Sequence, residues 1–183
     1  MPETGAPSTY LLIDGENIDA TLGGILARRP QPEERPRWSR VLEVVGERWQ
    51  TPVRGLFFLA VTDELPTAFV QAILAMDYRP VPVQGAGKVV DIAIQRTLVA
   101  LRDKDADVVL ASHDGDFEPQ LRDLCDGSRR VGLLGFGEFT STSLRALPGV
   151  ELLDLEYDVG SFNTRLPRVR IIPIDEFDPY EFI

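Results

Sequence analysis

The sequence predicts an α/β fold with a mainly parallel central sheet covered by helices on both faces. Short apolar runs that read as buried strands alternate with amphipathic stretches of helical length. A β-α-β-α alternation closes most simply as a parallel sheet. The chain also has the right scale: 183 residues with 44% hydrophobic content supply one core and a short appendage.

The elements follow in order. Residues 10–14 are an apolar run and predict the first strand. Residues 17–27 predict a helix, with Asn17 as its N-cap. Residues 28–37 (RRPQPEERPR) hold too much proline and charge for either element and predict a loop. Residues 38–50 place Val41, Leu42, Val45 and Trp49 on one helical face, with Trp38 and Trp49 expected in the core. A second strand, 53–61, and a third helix, 65–76, come next. Residues 79–83 predict a short strand interrupted by Pro80 and Pro82. A mostly apolar helix is expected at 88–103, a strand at 107–112 and a helix at 117–125 that stops near Gly127. A strand at 130–135, a short helix at 141–147 and a last strand at 150–155 complete the unit. The domain is therefore expected at 9–155, after a flexible 1–8 and before an extension, 156–183. Residues 171–183 carry four acids and no base. They read as a disordered segment or one that binds a protein partner.

Composition narrows the functional classes. Cys125 is the sole cysteine, so no internal disulfide forms and a reducing, cytoplasmic location is expected. Residues 1–9 carry no basic residue, and the apolar run after them is too short for a signal segment. No stretch approaches the ~20 apolar residues of a membrane span, so no membrane association is expected. A net charge of −10 argues against a general nucleic-acid coat protein, but not against an enzyme whose acids cluster in its site.

Three segments end on carboxylates where an apolar run stops. Asp14 closes the first strand, Asp114 and Asp116 follow the 107–112 strand, and Asp91 falls in the first turn of its helix. Ligands of open α/β sheets sit beyond the carboxyl ends of the strands, at the topological switch point. If the two strands are neighbours, these acids meet over one crevice. A divalent cation relieves such repulsion, and hard carboxylate oxygens suit Mg²⁺ or Mn²⁺. That ion would activate water and offset charge at a phosphodiester. Asn17 would orient the water or a phosphate, and Lys88 would contact the scissile phosphate.

Each residue also has a plainer reading: an Asx-turn for Asp14, an N-cap for Asn17, a dipole-favoured acid for Asp91 and a turn for Asp114-Gly115-Asp116. Their joint occurrence at the ends of alternating elements points to a site. Ser112-His113-Asp114 is consecutive and is no hydrolase triad, so His113 is expected in a structural or rim role. Gly85-Ala86-Gly87-Lys88 lacks the spacing of a phosphate loop, and the hydroxyls of residues 140–143 fit helix capping better than phosphate binding. Arg28, Arg29, Arg35, Arg37 and Arg40 cluster with Trp38, either as an RNA-binding rim or as a solvated loop diluted by Glu33 and Glu34.

These motifs resemble the NYN domain family of the PIN-like nuclease superfamily. Asp14-Gly15-Glu16-Asn17 is similar to the family's Asp-x-x-Asn after an apolar strand. Lys88-Val89-Val90-Asp91 is similar to its Lys-Gly-Val-Asp, and residues 112–117 to its Ser-Gly-Asp-x-Asp-Phe. The likeness spans roughly residues 9–155, with Val89 and His113 standing where the family has glycine. It implies a PIN-like three-layer α/β/α fold and a metal-dependent ribonuclease. In that reading Asp14, Asp91, Asp114 and Asp116 hold Mg²⁺ or Mn²⁺, directly or through water. Those acids and Asn17 serve catalysis, while Lys88, Ser112 and Arg37 contact the RNA substrate. The resemblance also leaves a homodimer open. The rival readings are a non-catalytic module that binds RNA, or a protein through its C-terminal tail, and a phosphate-handling receiver-like domain.

Overall fold

Six parallel strands in the order β3-β2-β1-β4-β5-β6 form the centre of the protein. The computed structural model describes residues 7–183, so most of the segment expected to be flexible, 1–6, lies outside the described residues. The strands are β1 (Ser8–Asp14), β2 (Val53–Ala60), β3 (Tyr78–Val83), β4 (Ala106–Ala111), β5 (Val131–Gly135) and β6 (Glu151–Asp154). The helices are α1 (Gly15–Leu26), α2 (Trp38–Trp49), α3 (Thr67–Ala75), α4 (Val89–Leu101), α5 (Glu118–Leu124) and α6 (Thr142–Arg145).

Strand periodicity divides the core between two faces. Leu11 and Ile13 of β1 join α1, α2 and Ile73 of α3 on one side. Leu12 of β1 packs on the other with Val90, Ile94 and Leu98 of α4, Leu121 of α5 and Leu144 of α6. Both faces of the central strands are buried, which explains their nearly unbroken apolar sequences. The expected α/β/α architecture is present. Pro80 and Pro82 are accommodated because β3 is an edge strand, where a missing N–H breaks no interior ladder. No helix among the described residues is long and apolar enough to cross a membrane.

The connections reverse at β1. From it the chain builds outward through β2 to β3, then returns across the sheet to place β4 on the other side of β1. The switch point therefore lies between β1 and β4, and their carboxyl ends carry the acids.

Three local expectations are revised. β1 passes directly into α1, so Asp14 is the N-cap and its Oδ1 accepts from the Asn17 N–H at 3.3 Å. Asn17, expected as the cap, lies inside the first turn. The expected helix 117–125 begins as a 3₁₀ turn, Gly115–Phe117, capped by Asp114, and becomes α-helical only at Glu118. The packed structure also continues past Leu155, for Val159 and Leu166 join the α1/α2 core. Beyond them the Arg168 side chain is 1% exposed, and it pairs with Glu138 (2.5 Å), Asp154 (2.7 Å) and Glu156 (3.2 Å). Its guanidinium lies over the rings of Phe136 and Tyr157. After Arg168 exposure rises sharply, to 92% at Val169 and 98% at Ile171.

Candidate functional site

Asp14, Asp91, Asp114, Asp116 and Lys88 meet at the switch point. The Lys88 ammonium stands 3.4 Å from Asp91, 3.9 Å from Asp114 and 3.3 Å from Asp116. Asp14 lies deeper, with only 3% exposure. Its Oδ2 accepts from the Ser112 hydroxyl at 2.9 Å. Burial pushes the Asp14 carboxyl up to about 6; the Ser112 and Asn17 hydrogen bonds oppose the rise, while Asp91 and Glu16 add to it. Asp116, Asp91 and Asp114 hold the Lys88 ammonium firmly protonated.

The turn after β4 is fixed by its own side chains. Asp114 Oδ1 accepts from the Asp116 N–H at 2.9 Å, and Gln95 of α4 donates to the Asp116 carbonyl at 3.4 Å. Gly115 fits because Ser141 lies close: a Cβ there would come within 2.7 Å of the Ser141 hydroxyl. The Ser141 and Ser143 hydroxyls hydrogen-bond to each other at 2.9 Å beside this turn.

His113 has a structural role directed at Asn17. Its Nε2 accepts from the Phe136 N–H at 2.8 Å, so the neutral ring carries its proton on Nδ1. Nδ1 lies 2.9 Å from Asn17 Oδ1 and 3.1 Å from the Thr21 hydroxyl. The backbone N–H of His113 also donates to Asn17 Oδ1 at 2.9 Å. Two donors thus hold the amide oxygen, leaving its NH₂ end as the group that can serve a ligand. Burial lowers the His113 pKa to about 4, against the opposing influence of Glu138 and Asp154. Glycine at 135 makes room, since a Cβ there would lie 2.5 Å from Nε2. This Asn17–Thr21–His113 link is invisible in the linear sequence.

Two expected substrate contacts are placed differently. Ser112 is 1% exposed, and its hydroxyl is committed to Asp14 and to the Asp114 N–H; it positions acids rather than facing substrate. Arg37 pairs with none of these acids and donates to the Gly160 carbonyl at 3.3 Å. Arg29 and Arg35, from the same loop, line a cavity beside α1 instead.

Among the described residues, no three His, Cys, Asp or Glu side chains form a ready-made cage for an ion. The carboxylates are gathered around an ammonium. Their donor set nevertheless consists of hard oxygens, which suits Mg²⁺ or Mn²⁺ better than a softer ion. Three carboxylates within 4.0 Å of one positive charge also show that this point favours a cation.

The crystal structure of a protein of unknown function from Vibrio parahaemolyticus superposes with a TM-score of 0.65. The match covers 87% of this chain and 99% of that one, at 16% identity, which establishes likeness of fold alone. No curated protein matches the chain at a significant level. The family model of the NYN domain matches residues 8–151, the whole span from β1 to the start of β6. With that span matched, the chain belongs to the NYN domain family.

Proposed function

We propose that this protein is a metal-dependent ribonuclease that hydrolyses RNA phosphodiester bonds. Family membership supports nuclease chemistry in general. The observation that carries the specific reading is the gathering of Asp91, Asp114 and Asp116 around Lys88, with buried Asp14 behind them.

In this reading Asp14, Asp91 and Asp114 hold Mg²⁺ or Mn²⁺, and Asp116 does so directly or through water. A bound ion would supply a water nucleophile and charge neutralisation at the phosphodiester. Ser112 orients Asp14 through its hydroxyl. Asn17, its oxygen fixed by His113, offers its NH₂ to a phosphate oxygen. Lys88, 68% exposed, would contact the scissile phosphate. A carboxylate of the cluster accepts the proton lost by water. The largely exposed tail, residues 171–183, would serve a protein partner, and the lone, half-buried Cys125 suits a reducing cytoplasm.

The test is cleavage of a labelled RNA of mixed structure with Mn²⁺, Mg²⁺ or EDTA, comparing wild type with Asp14→Asn. Metal-dependent cleavage that the variant loses supports the reading. Equal cleavage by both proteins sinks the role of Asp14. Metal binding without cleavage by either favours the non-catalytic RNA-binding module.

A further inference from the structure

One strand away from the acids lies a cavity of about 360 Å³. Its floor is the carboxyl half of β2, where Phe58 pairs in register with Asp14 of β1. Its walls are aromatic. Trp38 meets Phe57 edge to face at 5.5 Å, and Phe57 meets Phe69 in the same way at 5.5 Å. Trp38 and Phe57 are 6% and 4% exposed, but Phe69 is 41% exposed and keeps much of its ring accessible.

The cavity and the acid site share a wall. Gly15, which follows Asp14 directly, lines the cavity, and a Cβ there would stand 2.6 Å from the Phe57 ring. At Gly15 no side chain separates the backbone of α1 from the Phe57 ring. Arg29 and Arg35 also line the cavity. Asp19 neutralises Arg35 at 2.6 Å, whereas exposed Arg29 makes no ion pair among the described residues.

This combination selects a ligand chemistry. The lining is too apolar for a bare phosphate, while its matched charged groups, Arg29 and Arg35 beside Glu16 and Asp19, suit a flat apolar group that carries polar edges better than a purely apolar molecule. A nucleobase has a flat apolar face and is tethered to phosphates on both sides. The volume falls within the range of small-ligand pockets. RNA readers commonly take splayed bases onto aromatic rings, with arginine nearby for the backbone. The acceptor-only carboxylate of Glu16, also lining the cavity, can meet an exocyclic amine.

We propose that this cavity is a base-binding subsite. It takes one unpaired nucleobase of a single-stranded RNA, stacked on Phe69, with Arg29 on a neighbouring phosphate and the adjoining phosphodiester over the acids. The identity of the polymer rests on the nuclease reading above. A base held in a duplex cannot enter, so filling the subsite requires an unpaired nucleotide beside the phosphodiester at the acids.

The experiment is fluorescence anisotropy of a labelled unstructured RNA and a duplex of equal length, in EDTA and low salt, so that binding is read without turnover. Wild type is compared with Phe69→Ala, Phe69→Trp and Arg29→Ala, each checked by thermal melting. The single strand should bind more tightly than the duplex. Phe69→Ala should weaken single-strand binding about 5- to 150-fold, the range expected for one lost aromatic stack. Phe69→Trp should restore it, and Arg29→Ala should weaken it and flatten its salt dependence. Unchanged single-strand affinity in Phe69→Ala, or equal binding of the duplex, overturns the proposal. Binding of this kind without metal-dependent cleavage keeps the subsite and removes the nuclease reading. Cleavage indifferent to Phe69→Ala does the reverse.

Discussion

Replacing Asp14 by Asn isolates the energetic cost of the negative charge buried at the switch point. The carboxyl is 3% exposed and its pKa rises from an ordinary 3.8 to about 6, chiefly through burial. Between those values the folded chain holds a proton that the unfolded chain has released. Stability therefore falls as pH rises from about 4 to 6 and stays low above that. A difference of about two pH units corresponds to about 3 kcal/mol. Asn keeps the shape and a hydrogen bond to Ser112 without the charge. In EDTA at pH 8, Asp14→Asn should be more stable than wild type by up to about 3 kcal/mol, with the gap closing below pH 4. For a chain of this size that is roughly 6–12 °C in Tm. Urea denaturation at a series of pH values reads the difference directly, because contributions common to both proteins cancel. Mn²⁺ at pH 8 should stabilise wild type and leave the variant nearly unmoved. A variant that is less stable by the same amount at pH 4 and pH 8 would refute the argument, since Asp14 would then act by packing and not by its charge.

Other perturbations test the surrounding structure. Arg168→Met leaves Glu138, Asp154 and Glu156 without their shared cation and should cost about 3–5 kcal/mol, measured by denaturant unfolding. Burial opposes ionisation of Asp154, yet Arg168 holds its carboxyl below the usual range, and it lowers Glu138 as well. Wild type should therefore lose stability as pH falls below about 4, and Arg168→Met should lose less of it there. The His113 imidazole should not titrate between pH 5 and 8 by NMR, given a pKa near 4; a midpoint near 6.5 would rule out the neutral ring that holds Asn17. The stability it contributes is complete above 6.5 and declines as pH falls towards 4. Lys88→Met should bind Mn²⁺ more tightly in calorimetry, because the ion no longer competes with an ammonium. The same variant should cleave RNA more slowly.

The sequence made most of the framework readable because parallel strands buried on both faces must be apolar nearly throughout. Residues 108–111 and 131–134 announce themselves in this way. The acids were readable because a charge directly after such a run has only the sheet's edge to occupy. What escaped depends on contacts distant in sequence. Asn17 looked like a cap because Asn favours that position, but β1 runs into α1 without a loop and Asp14 takes the role. Ser112 looked available to substrate until its hydroxyl was seen bonded to a residue 98 positions away. Arg168 resembled any arginine in a polar stretch; only the bend after β6 brings three acids around it. Phe69 sits on α3 with nothing in its local pattern to distinguish a core ring from a cavity wall.

Arg168 also divides the chain by how freely it can change. At that residue a substitution is felt by its neighbours: Arg168 lies over Phe136, which stacks on His113, which in turn holds Asn17. Past it, Val169, Ile171 and Ile174 face solvent, Phe177 and Phe182 stack on each other, and the backward contact of Arg170 is to the exposed Tyr157 ring. Residues 169–183 can thus drift, lengthen or acquire a new binding preference while the acids stay where they are. The segment gives the chain a place to vary without disturbing the packing that sets the acids.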